Sequence, residues 1–394
     1  MILRPEEASL CDLIGILVSR NIASKACVVP TNLREENFKV RWIMVMSLSG
    51  QKLLQFFSIP MSKLGSALEK WLNILSSNHN LDLLLLRFLQ DYQKKRTTQA
   101  FMFQDKISDP DTIIIAFRGT EPFDADAWCT DIDLSWYEFD MGKIHEGFIK
   151  ALGLVINQGW PKEYEQDSKK PLAYYTLREE LKKFLKQNSR TKFIVTGHSL
   201  GGALAILFPA VLALHEESQL LERLEGVYTF GQPRVGDEKF KNFMENQLDK
   251  YQNFKYLRFV YCNDLIPRLP HDDSTFLFKH FGTCLYYSSC YRGKIVEEEP
   301  DKNYVLLRAM KMIQRFLNAS WELLRSFMIP YIEGSDFAET GFLKFARFLG
   351  LVFHGLAAHN PQDYVNLTRL GFPDDIIIQA SRKIYGKVSS SKNI

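Results

Sequence analysis

Cysteine is scarce in this 394-residue chain, and the six that occur are scattered: Cys11, Cys27, Cys129, Cys262, Cys284 and Cys290. None forms a Cys-x-x-Cys pair, so no zinc site is expected and no metal ligand is assigned. A sparse set in a long chain also excludes a disulfide framework and fits reduced thiols. An excess of one charge is missing too: 49 Lys+Arg stand against 46 Asp+Glu, a net charge of +3. With no long basic block, a nucleic-acid partner is not expected. The start, Met1-Ile2-Leu3-Arg4-Pro5-Glu6-Glu7, puts two acids where a secretory signal wants a basic segment. The sequence therefore predicts no secretion. Glycine is nearly absent from residues 1–95, which hold only Gly15, Gly50 and Gly65.

What is present is ordinary globular material. Hydrophobic residues make up 46% and charged residues 24%, which rules out a disordered or collagen-like chain. The length allows one large domain or two ordinary ones. Aromatic residues reach 13%, with 29 Phe, enough to line a greasy pocket, touch lipid or fill a large core.

One stretch imitates a transmembrane helix. From Phe193 to Leu214 there is no Asp, Glu, Lys or Arg, and the run is long enough to span a bilayer. Gly197, Gly201, Gly202 and Pro209 interrupt it, and its first part is β-rich. It reads as a buried strand, a glycine turn and a buried helix.

Within residues 1–95, apolar residues recur at Met61, Leu64, Leu68, Trp71, Leu72 and Leu75, which is helical spacing. Leu81–Leu89 is a second leucine-rich segment. This leader reads as a helical cap on the core or as a helix lying on a lipid surface. The middle alternates. Strands are predicted at Ala100–Phe103, Thr112–Phe117, Lys192–Thr196, Val227–Phe230 and Leu257–Tyr261, and helices at Leu177–Gln187 and Gly201–Leu214. Such alternation implies an α/β fold with a largely parallel sheet. Residues 300–350 are helical again, with Leu306, Ala309, Ile313, Phe316 and Leu317 on one face. A core-facing insertion is favoured there over a basic surface helix.

The most specific motif is Gly197-His198-Ser199-Leu200-Gly201, followed by Gly202, between a predicted strand and a predicted helix. That is the setting of a nucleophile elbow, whose tight turn exposes the serine Oγ. Ser199 is the candidate nucleophile. Serine alone is weak and needs a base, which in turn needs an orienting carboxylate. In the elbow enzymes both follow the serine, acid first. Asp264 stands directly after the strand Leu257–Tyr261, at the sheet edge where α/β sites assemble, and is preferred to Asp237, Asp272 and Asp273. Among the histidines, His215 ends the nucleophile helix, and His271 and His280 crowd Asp264. Position leaves His354 and His359 open, with His359 favoured because it opens a loop entering a new helix. Oxyanion donors are expected from the Leu200 N–H and from Thr120, in the loop after Thr112–Phe117.

Five motifs in order, Phe117-Arg118-Gly119-Thr120, His145-Glu146-Gly147-Phe148, Gly197–Gly202, Phe230–Gly236 and Asn263-Asp264-Leu265-Ile266-Pro267, resemble the class 3 lipase family across roughly residues 97–370. Gly119–Asp126, Ser135–Glu138, Val260–Pro270 and Asp363–Asn366 resemble more narrowly the plant oil-body triacylglycerol lipases. The resemblance implies an α/β-hydrolase fold acting on acylglycerol esters. It implies a triad of Ser199, Asp264 and His359, an oxyanion hole at Thr120 and Leu200, and a lid at about Glu121–Tyr137. It implies no cofactor. An acylglycerol substrate and a lipid-droplet (oil-body) or membrane surface facing the cytosol are the expected partners. The expected organisation is a helical N-terminal region at 1–95 that is a possible lipid anchor, a hydrolase domain at 96–385 with a helical insertion at about 300–350, and a flexible tail at 386–394. The alternatives are a phospholipase or galactolipase with the same triad, and a non-catalytic lipid-binding protein on the same fold.

Overall fold

The structure, a computed structural model, describes residues 2–4, 7–18, 27–29, 38–76, 100–104, 112–119, 135–154, 160–163, 172–251, 254–270, 278–298, 309–352, 355 and 357–371. Thr120, His271, Asp272, Asp273, His354, the Leu81–Leu89 segment, residues 121–134 of the expected lid and the tail lie outside the described residues. The chain divides into two compact units. One gathers residues 1–99, 120–137 and 145–175; the other gathers residues 100–119, 138–144 and 176–394.

In the first unit, strands β1 (Ile2–Leu3) and β2 (Val28–Val29) pair antiparallel. Helices α1 (Leu10–Val18) and α2 (Phe38–Ser76) pack together over a cluster of Ala8, Leu13, Ile16, Cys27, Val28, Met44 and Leu48. The sequence predicts a helix around Met61–Leu75. The structure continues it back to Phe38 as one 39-residue helix with Pro60 inside. Helix α3 (Glu146–Ala151) also belongs to this unit.

The second unit holds a seven-stranded sheet. Its strands are β3 (Ala100–Gln104), β4 (Thr112–Phe117), β7 (Lys192–His198), β8 (Leu224–Phe230), β10 (Lys255–Tyr261), β12 (Thr283–Tyr287) and β13 (Gly293–Val296). Two short segments come between them, β5 (Trp136–Phe139) and β6 (Gly142–His145), and later β9 (Gly236–Asp237) and β11 (Phe278–Lys279). The spatial order is β13-β12-β10-β8-β7-β4-β3. The five inner strands are mutually parallel, and β3 and β13 close the edges antiparallel. Parallel strands need crossover helices, which then cover the sheet. Those helices are α4 (Ala173–Gln187), α5 (Leu200–Leu214), the short α6 (Ser218–Leu221) and α7 (Glu238–Lys250). α4 begins in the first unit and runs into the second.

Sequence dictates this layering. Thr112–Phe117 alternates half-buried and buried positions along a β-branched run. Lys192–His198 does the same. The helix α5 is apolar on every side, and everything from Leu200 to Leu212 is buried. A helix without a polar face must be sheathed by protein or lipid. Here it lies against β4, β7 and β8. Leu204, Ile206, Leu207 and Phe208 are almost fully buried, each contributing roughly 1.5–3 kcal/mol of transfer free energy. The charge-free Phe193–Leu214 run is thus a strand, a turn and a buried helix, as its glycines imply. Among the described residues no helix is long and apolar enough to cross a membrane. This is the α/β-hydrolase fold, with the elbow at the C-terminal end of a central strand.

Beyond β13 come α8 (Ala309–Ile332), α9 (Gly341–Gly350) and α10 (Pro361–Leu370). The expected face of α8 is turned around. Ile313, Phe316 and Leu317 are exposed, while Arg315, Glu322 and Arg325 are buried. The reason lies in a polar network beneath. Asp363 Oδ1 accepts from Tyr291 Oη, Arg325 Nη2 and Arg347 Nη2, each at 2.9 Å. Arg347 also pairs with Glu339 through its Nε at 2.6 Å. Buried charges survive only when paired in this way.

Candidate active site

The elbow is built on close backbone passage. Ser199 stands between β7 and α5, as the N-cap of α5, with φ 57° and ψ −128°. A non-glycine residue held there is strained, on the order of 1–3 kcal/mol. A side chain on Gly119 would place its Cβ 2.6 Å from the His198 carbonyl oxygen. One on Gly197 would run into the backbone of Gly201. The Ser199 N–H donates to the Phe230 carbonyl at 2.9 Å, which ties the turn to the neighbouring strand β8. Leu200 is the first residue of α5, so its N–H has no acceptor within the helix.

The structure brings together three residues that are far apart in sequence. His359 Nε2 lies 2.7 Å from Ser199 Oγ. His359 Nδ1 lies 2.8 Å from Asp264 Oδ2. Ser199 follows β7, Asp264 follows β10, and His359 ends a short 3-10 turn at Ala357–His359. Asp264 is fully buried, and Ser199 is 6% exposed. With Nδ1–H donated to the carboxylate, Nε2 is left to accept from the serine hydroxyl. Of the other candidate acids and bases, Asp237 caps α7 by accepting from Phe240 N, His215 closes α5, and His280 Nε2 lies 2.7 Å from the Pro267 carbonyl.

Asp264 is held from several directions. Ile266 N donates to its Oδ1 at 2.9 Å. Tyr364 Oη donates to Oδ2, and the same hydroxyl accepts from Tyr261 N at 3.3 Å. Arg268, itself buried, donates to the carbonyls of Asp264 and Cys262. Burial first, then the Asp264 charge, push the Tyr364 phenol well above its usual range, so it stays a proton donor. Asn360 caps α10 by accepting from Gln362 N at 2.8 Å, which fixes the turn between His359 and Tyr364.

Three members of the site were not assigned from sequence. The ring of His198 lies 4.6 Å from that of His359. Its burial, and then His359, hold it well below the ordinary histidine range, so it is neutral near pH 7. Gly231, with φ +60°, sits where a Cβ would come 2.9 Å from His359 Cε1 and 3.0 Å from Asp264 Oδ2. Tyr364 is the third. All three stand inside motifs legible in the sequence, but no spacing rule points from them to the triad. Among the described residues no cluster of three or more His, Cys, Asp or Glu could hold a metal ion.

Comparison with known proteins agrees with the motifs. Residues 114–274 match the family of class 3 lipases. A protein of Arabidopsis thaliana named triacylglycerol lipase OBL1 is 47% identical over 318 residues, 75% of this chain and 61% of that protein. Its Nicotiana tabacum namesake is 44% identical over 340 residues, 71% of this chain and 59% of that protein. A lipase of Rhizomucor miehei is 33% identical over 174 residues, 43% of this chain and 40% of that protein. The chain thus spans about three fifths of the length of the plant relatives. Residues 114–274 of this chain belong to the class 3 lipase family.

Proposed function

We propose that the chain is a serine lipase that hydrolyses acylglycerol esters, releasing fatty acid from triacylglycerol at a lipid–water interface. The observation that carries this reading is the unbroken hydrogen-bonded line from Ser199 Oγ through His359 to Asp264. His359 Nε2 takes the serine proton as Oγ attacks the ester carbonyl carbon. The developing oxyanion is held by the Leu200 N–H at the start of α5 and by Thr120. The imidazolium is stabilised by Asp264, whose carboxylate is fixed by Ile266 N and Tyr364. His359 then gives the proton to the leaving alcohol, and diacylglycerol departs. A water deprotonated by His359 attacks the acyl-enzyme and frees the fatty acid. The segment Glu121–Tyr137 acts as the lid, and an oil body or membrane facing the cytosol is the working surface. The plant relatives bear the name triacylglycerol lipase, which supports this choice of substrate.

The test is fatty-acid release from emulsified long-chain triacylglycerol by wild type and Ser199→Ala side by side, with phosphatidylcholine and galactolipid in parallel. Release by wild type alone supports the reading. Equal release by Ser199→Ala would overturn the mechanism, and release only from the polar lipids would overturn the substrate.

A further inference from the structure

We propose that the outward face of α8, continued onto α9, is a docking surface for an uncharged lipid surface. The argument starts from the inside-out pattern of α8. Between Met312 and Ile332 every charged residue, Arg315, Glu322 and Arg325, is buried. Every residue exposed among those described in that span is uncharged. Ten of them are large and apolar, including Ile313, Phe316, Leu317, Leu324 and Phe327. The outward positions recur every three or four residues, so they form one stripe along the helix. The buried stripe at 315, 319, 322, 326 and 329 runs opposite.

Helix α9 extends the stripe with Phe345, Phe348 and Leu349, all exposed. The two helices meet where Lys344 Nζ sits 4.7 Å above the Phe327 ring. At about 200 Å² for a large side chain, this half-exposed set presents on the order of 1,000 Å² of apolar surface. A monomer in water rarely shows more than a few hundred. The face is therefore built to be covered.

Its chemistry selects the cover. A protein interface carries roughly one hydrogen bond per 100–200 Å². The exposed described residues from Met312 to Ile332 offer Gln314 and the ring tips of Trp321 and Tyr331, too few for a face of this size. Acyl chains ask for no hydrogen bonds, and rings such as Trp321 and Tyr331 settle at the boundary between acyl chains and water. Buried Arg315, Glu322 and Arg325 keep the helix from crossing, so it lies flat. Half-buried Lys344 at the stripe lies over the Phe327 ring, and no exposed described position of the stripe is a cation, so contact depends mainly on hydrocarbon. Arg325 and Arg347 hold both helices to Asp363 beside Tyr364, so the face is carried on the same support as the site.

The proposal deepens the lipase reading and rests on it in taking lipid as the occupant. The experiment is flotation of the full chain with vesicles of pure phosphatidylcholine, at low and high salt. Wild type and Ser199→Ala should bind alike, which separates docking from catalysis. The double variant Phe316→Glu/Leu324→Glu should bind at least about a hundredfold more weakly while hydrolysing a water-soluble short-chain ester at the wild-type rate. Phe316→Leu/Leu324→Met should keep the binding, which excludes a folding defect. Undiminished binding by the Glu pair would overturn the proposal. So would binding that needs anionic lipid and vanishes in salt. A wild-type dimer in sedimentation that the Glu pair splits would assign the face to a second copy instead.

Discussion

Tyr364 and His359 share one oxygen: both donate to Oδ2 of Asp264, while Ile266 N holds Oδ1. The carboxylate thus meets the imidazole with both of its oxygens already held by other donors. It is a fixed counter-charge. Replacing Tyr364 by Phe removes one donor to a buried charge, an interaction of about 1.5–3 kcal/mol. We expect kcat to fall on the order of tenfold or more with KM little changed. The melting temperature should change less than the rate, because Tyr364 acts through the Asp264 carboxylate that orients His359. An unchanged kcat together with a lowered melting temperature would reduce Tyr364 to a packing role.

Ser199 is held at positive φ by the elbow, and a glycine accepts that conformation without strain. Ser199→Gly should therefore destroy esterase turnover and yet raise the thermal midpoint. Relief of about 1–3 kcal/mol is the expected scale. A calorimetric scan decides it, and a midpoint below that of wild type would contradict the strain argument.

Gly231 borders the triad so closely that one methyl group matters. In Gly231→Ala the new Cβ would press on His359 and Asp264 at a positive φ. We expect loss of most activity on a soluble ester, and weakened reaction with a fluorophosphonate probe. Alanine at this position with wild-type labelling rates would show that the loop yields.

Burial, and then the charge of Asp363, push the Glu322 carboxyl up to about 7 from an ordinary value of 4.5. Arg347, Arg325 and Cys262 face the same carboxyl and pull it back. A carboxyl with a raised folded pKa binds its proton more tightly in the native state. Its contribution is then most favourable below about 4.5 and is lost as pH rises towards about 7. Urea unfolding of wild type and Glu322→Gln across this window should show the wild-type stability falling relative to the variant. Parallel pH curves would rule the effect out.

The parts of the molecule readable from the sequence are those whose cause is local. The glycines around Ser199 mark a turn, the charge-free run after it marks a buried helix, and Asp264 follows its strand at once. The motif likeness singles out His359, which position alone leaves beside His354. The outward turn of α8 was not readable, because its amphipathic spacing gives a stripe and not a direction. Direction comes from Asp363, Glu339 and Tyr291, which reach Arg325 and Arg347 from other elements. Tyr364 escaped for a similar reason, since its partner lies 100 residues earlier.

His359, the proposed base, lies 160 residues beyond Ser199 in the chain. At translation speeds of about 5–20 residues per second, Ser199 leaves the peptidyl-transferase centre roughly 8–30 s before His359. During that interval the elbow and its sheet can assemble, but the serine has no proton acceptor. On the proposed mechanism, hydrolytic power therefore arrives late and all at once. On the same mechanism, a nascent chain, or one cut anywhere before His359, lacks the base and is chemically silent towards the lipids around it, whatever state its elbow has reached.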